Sequence, residues 1–320
     1  MAHVPALLGL IETFRRNVST LPNAMFKRLF NQTMAGYWMY RVLGALVPLI
    51  PPRVGYALFG WIGAHFFDWF ADAREPLRDN LSHVMRDASP AERDRTARNI
   101  LRNHLKNYYD FFRSVRLTRE DIARLVNVDG FENLENALAR RKGVIFVTAH
   151  FGNLDIVGQT FAIRGYKVTT PAEHLKPEIL YQRIVATRAA KGLTIIPVDG
   201  PLLSLVRALK KNEIVGLASD LDVTKSGILV DFFGAPARLP DGHVQMALRT
   251  GAALLPAFAL RLPDNTFAAY AEPAVDLQNT GDFQADVRAG VEQVACVMEK
   301  WIGRHPEQWV MFHRIWKMDD

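Results

Sequence analysis

Cysteine is almost absent from this chain: Cys296 stands alone among 320 residues. A disulfide framework is therefore excluded, which suits a reducing compartment. Cys296 falls mid-helix with no activating pattern around it, and reads as a small buried apolar residue. No G-x-S-x-G elbow, phosphate-binding P-loop or G-x-G-x-x-G fingerprint occurs, so the serine-elbow, P-loop and dinucleotide patterns are missing. No H-x-x-x-H pair occurs, so neither a catalytic metal nor a bound cofactor is expected. No uncharged run reaches the roughly 20 residues needed to cross a bilayer. The stretch before Glu12 lacks the basic start and small-residue cleavage site of a signal peptide. No repeat, low-complexity segment or linker divides the body of the chain.

Acidic residues are scarce at one end only. Residues 1–60 carry Arg15, Arg16, Lys27, Arg28, Arg41 and Arg53 against Glu12, a net +5 out of the chain's +6. A basic arm on a nearly neutral body argues against a nucleic-acid reader, whose basic stripe runs through the folded domain. It suits an anionic membrane surface, where each nearby cation contributes about 1 kcal/mol. The arm is also apolar: residues 42–52 and 54–67 contain no Asp, Glu, Lys or Arg. Joining them would place Pro48, Pro51, Pro52 and Arg53 inside one span, which breaks a helix and buries a charge. Residues 1–70 are thus expected to form interfacial or re-entrant helices, with Trp38, Tyr40, Tyr56 and Trp61 near the headgroups. The competing expectation is a helical hairpin packed on the protein's own core.

Beyond residue 70 the pattern changes. Ser89-Pro90-Ala91-Glu92 is a capping box that opens a helix through about Arg113. Short apolar runs then alternate with helical stretches. Strands are expected at 126–128, 144–147, 168–170, 194–198 and 214–218, with helices at about 131–141, up to 164, 177–190 and 201–211. Further strands at 254–260 and 267–270 precede a helix over 284–303. This rhythm predicts an α/β fold over 71–320, a mostly parallel central sheet flanked by helices, with the helical membrane-interacting arm in front. Residues 219–240 break the rhythm and read as a long irregular connection, a common place for function.

The candidate chemistry lies in Val144–Asp155. An apolar strand runs into His150, the chain turns through Gly152, and Asn153 is placed to cap the next helix. His150 thus emerges at the carboxyl end of a core strand, where open α/β sheets hold their ligands. Asp155, in the first helical turn, is expected to approach the same imidazole. A carboxylate-oriented histidine with no nucleophilic serine beside it is a candidate general base.

His150-Phe151-Gly152-Asn153-Leu154-Asp155 resembles the H-x4-D/E block of the bacterial lipid A biosynthesis acyltransferases, a family that includes the phosphatidylinositol mannoside acyltransferases. Ser219-Asp220-Leu221-Asp222, then Val230-Asp231-Phe232-Phe233-Gly234-Ala235-Pro236-Ala237-Arg238, resemble its second acidic block and phenylalanine-glycine loop. Arg78-Asp79-Asn80-Leu81, residues 247–252 and His305-Pro306-Glu307-Gln308-Trp309 continue the likeness in order over about 36–317. The resemblance implies transfer of a fatty acyl group from an acyl carrier protein or coenzyme A thioester to a hydroxyl of a membrane glycolipid. One branch acylates a lipid A precursor from acyl carrier protein, the other a mannose of phosphatidylinositol mannoside from acyl-coenzyme A. The work would be done on the cytoplasmic face of the inner membrane by a peripheral or monotopic protein.

In that reading His150 takes the acceptor's proton and Asp155 holds its tautomer. Arg188 faces the oxyanion, unless it is merely a solvated helix arginine. Asp220 and Asp222 orient His150 from the other side, bind sugar hydroxyls or cap the loop, and Arg238 is a further substrate-binding candidate. Phe151, Phe232 and Phe233 line the acyl groove, although adjacent phenylalanines are as often plain core. Glu307 and Trp309 anchor the carboxyl end. A non-catalytic lipid-binding relative and an acyl thioesterase are the alternatives.

Overall fold

The computed structural model describes residues 34–198, 203–222 and 226–316. Arg15, Arg16, Lys27 and Arg28 of the basic arm, and the expected helix start at 201–202, lie outside the described residues.

The chain enters through α1 (Met34–Leu46), a 3-10 turn (Val47–Leu49) and α2 (Pro52–Trp69). Pro51 and Pro52 enforce the break between the helices, with Pro52 at the first position of α2, where the missing N–H costs nothing. Helix α3 (Ala71–Val84) follows, then α4 (Pro90–Ser114), opened by the reciprocal Ser89–Glu92 capping box. Helix α2 packs along α4 at short range because glycine permits it. A Cβ at Gly55 would enter the Tyr109 ring, and one at Gly63 would enter the Leu101 backbone.

The body then alternates strands and helices broadly as the periodicity predicts, with helices at 119–125 and 242–250 that it did not announce. In order come α5 (Arg119–Leu125), β1 (Val126–Asp129), α6 (Phe131–Ala139), β2 (Val144–Thr148), α7 (Leu154–Ile163), β3 (Val168–Ala172) and α8 (Glu178–Ala189). After these are β4 (Leu193–Pro197), α9 (Leu203–Lys210), β5 (Ile214–Ala218), β6 (Ile228–Phe232), β7 (Ala235–Leu239) and α10 (Gly242–Thr250). The last elements are β8 (Ala253–Arg261), β9 (Phe267–Ala271), α11 (Phe283–Arg304) and a 3-10 turn at Pro306–Gln308. The sheet order is β1-β9-β8-β2-β5-β3-β4, parallel except where β8 meets β9. The fold is α/β, with a mostly parallel sheet covered by helices.

Strand β2 is central and fully buried, as expected of a parallel strand covered on both faces. Its side chains alternate. Ile145 and Val147 belong to the core beneath α10 and α11, whereas Val144 and Phe146 belong to the core with α7. That parity continues past the strand and decides where the next side chains point.

Residues 219–240 are not irregular throughout. They hold an antiparallel hairpin of β6 and β7, turned by Phe233 and Gly234 at φ 53° and 67°. Two successive positive φ values are the signature of a tight hairpin turn. Phenylalanine at a position that favours Asn or Gly hid it in the sequence. Cys296 is also a correction, because it is exposed. Val291, Val294, Ala295 and Met298 of α11 face the core, and residue 296 points the other way.

Candidate active site

His150 and Asp220 each stand two residues beyond strands that pair in register, Thr148 opposite Ala218. The register alone brings the two side chains together at the carboxyl edge of the sheet. His150 Nδ1 lies 2.7 Å from Asp220 Oδ1. A carboxylate only accepts, so Nδ1 carries the proton and Nε2 is left as the basic nitrogen. Asp220 Oδ2 accepts from the His150 backbone N–H and from Trp309 Nε1, each at 2.8 Å. Asp220 is fully buried, while the imidazole is partly open.

The charges sustain each other. Asp220 raises the His150 pKa above the ordinary 6.5, first through its charge and then through the hydrogen bond, against an opposing effect of burial. For Asp220 itself burial favours the neutral acid, but the imidazole's charge and the converging donors hold its pKa below the ordinary 3.8.

His150 stands on the wall of a cavity of about 420 Å³. Its floor is the sheet face bearing Phe146, Thr148 and Gly216, and its wall is α7 with Val157, Gly158 and Phe161. Such a volume is in the range of small-molecule sites. The lining is mainly apolar, with Asp155 and Arg188 beside His150. Arg188 forks onto Asp155, Nε to Oδ1 at 2.6 Å and Nη2 to Oδ2 at 2.9 Å. Burial disfavours the guanidinium's charge, but the Asp155 carboxylate more than offsets this and raises its pKa. Nη1 makes no hydrogen bond with another described residue and remains available to a ligand. The arrangement is an oriented imidazole and a carboxylate-held cation lining an apolar cavity.

Residues 24–318 match the profile of the bacterial lipid A biosynthesis acyltransferases. The chain belongs to this family. It is 33% identical over 251 residues to a phosphatidylinositol mannoside acyltransferase of Mycobacterium tuberculosis, covering 77% of this chain and 78% of that one. The corresponding protein of Mycolicibacterium smegmatis is 30% identical over 77% of this chain and 80% of its own. The lipid A biosynthesis lauroyltransferase of Escherichia coli is 27% identical over 61% of this chain and 63% of its own. The protein is therefore an acyltransferase.

Not every residue assigned through the lipid A acyltransferase motifs stands where it was expected. Asp155 does not hold His150, because both its oxygens face Arg188 and the imidazole's partner is Asp220. Helix α7 turns Asp155 toward α8, whereas register places Asp220 beside the ring. Arg188 is no free solvated arginine, since it is half-buried and paired. Asp222 accepts from the Gly227 N–H at 2.8 Å, and Arg238 donates to the Gly227 carbonyl at 2.7 Å. The two brace the base of the β6–β7 hairpin, and neither lines the cavity.

None of the three phenylalanines lines the cavity either. Phe151 continues the odd-numbered parity of β2 into the opposite core, edge-on to Phe258 and Trp301. Phe232 is fully buried and stacks on Trp316, and Phe233 sits at the hairpin turn. The apolar side chains that do line the cavity include Phe146, Val157, Phe161, Val168 and Leu193.

Trp309 is more than a terminal anchor, because its indole N–H helps fix Asp220. Phe151 and Trp309 form a β-bridge, and the His150 carbonyl accepts from Val310 N. Asn80 secures the same terminal segment, donating to the carbonyls of Met311 and His313. Nothing local in the sequence marks these links, since they join segments far apart in the chain.

Proposed function

We propose that the protein transfers a fatty acyl group from an acyl thioester to a hydroxyl of a membrane glycolipid, with His150 as general base. The observation that carries this reading is the buried Asp220 carboxylate holding Nδ1 of an imidazole that stands at the wall of an apolar cavity. As the acceptor oxygen attacks the thioester carbonyl, Nε2 takes its proton and Asp220 stabilises the imidazolium. The new C–O bond forms, the C–S bond breaks, and the imidazolium returns the proton to the leaving thiolate. Arg188, locked by Asp155, offers Nη1 to the tetrahedral oxyanion, a contact worth roughly 3 kcal/mol. The donor is already activated, so no acyl-enzyme is required. The donor's carrier is coenzyme A or acyl carrier protein. Greater identity and coverage to the mannoside acyltransferases favour a mannose hydroxyl, with coenzyme A as carrier, over a lipid A precursor.

The test is acyl transfer from labelled acyl thioesters to extracted membrane lipids. Wild type is expected to yield acylated glycolipid, and His150→Ala is expected to yield essentially none. Transfer surviving in His150→Ala would reject the base. Fatty acid released equally with and without lipid would indicate a thioesterase instead.

We place this chemistry on the cytoplasmic membrane surface. No helix among the described residues is long and apolar enough to cross a membrane. Helix α1 and the turn after it instead expose Met34, Trp38, Val42, Leu46 and Leu49, largely at four-residue spacing along one face. Arg41 and Arg53 are exposed nearby. Tyr40 and Tyr56, expected at the headgroups, turn inward, Tyr40 to Thr187 and Tyr56 to Asp110. Replacing Arg41 and Arg53 by glutamine should weaken binding to anionic vesicles by roughly 2 kcal/mol, about thirtyfold, and flatten its salt dependence. Vesicle co-sedimentation across a salt series measures both, and unchanged binding would remove this face from the membrane.

A further inference from the structure

Behind the site lies a buried polar cluster that the proposed chemistry does not use. Asp110 on α4 is almost fully buried. Its carboxylate receives Tyr56 Oη at 2.5 Å, Asn153 Nδ2 at 3.0 Å and the Arg261 guanidinium. Arg261, on β8, also donates to Asn107 Oδ1 at 2.6 Å. Asn107 in turn donates through Nδ2 to the Gly152 carbonyl at 2.7 Å. Asn153 uses its remaining oxygen to cap α7, accepting from Ile156 N at 3.2 Å. The cluster therefore grips both residues at the bend between His150 and Asp155.

Stability alone is a poor reason for such a cluster. A buried ion pair loses much of its attraction to desolvation, and apolar residues of similar volume often serve folding as well. Here the cost is larger still, because Arg261 Nε and Nη1 are buried without a hydrogen-bond partner. What apolar residues would not supply is direction. The bend has polar backbone groups whose orientation must be fixed, and three elements converge to fix them. The end of β5 takes the His150 N–H, the terminal segment takes the His150 carbonyl and the Gly152 N–H, and α4 takes the Gly152 carbonyl. Gln308 completes the frame by pairing with the backbone of Arg261.

We infer that the Tyr56, Asp110, Arg261 and Asn107 cluster is a positioning element that sets where His150 and Asp155 stand. Asn107 fixes the bend directly, Asp110 fixes it through Asn153, and Arg261 locks the two together. Tyr56 ties the same frame to α2. Burial and then the Asp110 carboxylate raise the phenol's pKa above its ordinary value, so Tyr56 remains a donor. The inference rests on the assignment of His150 as the base.

Three variants test it: Asn107→Ala, Tyr56→Phe and Asp110→Asn. Asn107→Ala is expected to lower kcat per folded molecule about 10- to 100-fold, because small misplacements of reacting groups are costly. KM for the acyl thioester should stay within about twofold, since the apolar cavity is untouched. The His150 ring, titrated by NMR, should move down toward 6.5 as the grip of Asp220 loosens. Tyr56→Phe should give a smaller loss in the same direction. Asp110→Asn should give a larger one, and if it fails to fold the two milder variants decide. A lower melting temperature with kcat per folded molecule and the His150 titration both unchanged would overturn the inference. His150→Ala in the same assay keeps the two ideas apart. Full turnover there rejects the base itself, whereas a dead His150→Ala beside an unaffected Asn107→Ala rejects only the positioning cluster.

Discussion

Asp220→Asn is expected to lower kcat on the order of 10⁴-fold with the fold intact, an effect of the size seen when a triad carboxylate is neutralised. The geometry says why. Oδ2 of Asp220 accepts from two fixed donors, the His150 N–H and the Trp309 indole. An asparagine there must turn its carbonyl oxygen toward both, which points its NH2 at His150 Nδ1. Nδ1 becomes an acceptor, the ring proton moves to Nε2, and the basic nitrogen disappears from the cavity side. Volume and hydrogen-bond count scarcely change, so thermal unfolding should shift far less than turnover does. A variant with near-normal kcat would mean that the ring is not the base or that Asp220 does not set its tautomer.

The same substitution has a pH signature. In the wild type the base must be neutral, so kcat/KM should rise with pH through a value above 6.5, because Asp220 raises the His150 pKa. Without that charge, the burial that opposes it is left to act, and the residual activity should titrate at or below 6.5. Stability runs the other way. A raised histidine pKa gives stabilisation that is complete below 6.5 and lost as pH climbs through the folded value. The depressed Asp220 contributes stability above 3.8 that is lost as pH falls through its folded value. The pair thus stabilises most strongly in mildly acidic solution, where the base is protonated and idle. Chemical denaturation and kcat/KM, measured over one pH series, should move in opposite directions near neutrality.

The strands and helices that were legible are those signalled locally, whereas the β6–β7 hairpin and the helices at 119–125 and 242–250 were not. Val144–Thr148 is apolar without interruption, and Ser89 with Glu92 announces its own helix. His150 was legible for the same reason, since a strand end and a glycine bend frame it. Its partner was legible only through the family resemblance, which offered Asp220 as orienting the ring from the other side, one role among three and second to Asp155. Asp155 is close in sequence and Asp220 is 70 residues away, and only the pairing of β2 with β5 reveals that Thr148 and Ala218 share a register. Strand order is a property of the whole sheet and leaves no mark on a short motif. The acyl-facing residues failed for a different reason. Phe151, Phe232 and Phe233 were chosen by nearness to a motif, whereas side-chain parity decides the matter. Residue 150 faces the cavity, so residue 151 faces away. Counting forward from the alternation in β2 would have found Phe146 and rejected Phe151.

The motif itself contains one residue whose role is wholly conformational. Gly152→Ala should lower the unfolding free energy by about 3 kcal/mol or more, a loss that strain at a special backbone site accounts for. Gly152 sits at φ 63°, and a Cβ there would overlap the carbonyl oxygen of Ala259 on β8. The left-handed backbone costs a side-chain-bearing residue roughly 1–2 kcal/mol, and the overlap adds to it because neither partner is a flexible side chain. The bend cannot swing aside. Its N–H is held by the Gln308 carbonyl at 2.8 Å and its own carbonyl by Asn107, while β8 is hydrogen-bonded on both edges within the sheet. Gly165 separates the two contributions. It is also left-handed, at φ 94°, but a Cβ there meets nothing within 4 Å. Gly165→Ala should therefore lose only the backbone cost, and the difference between the two denaturation midpoints reports the clash. Equal losses would mean that β8 yields to the new methyl group, and the close approach of the bend to the sheet would then be dispensable for holding His150 in place.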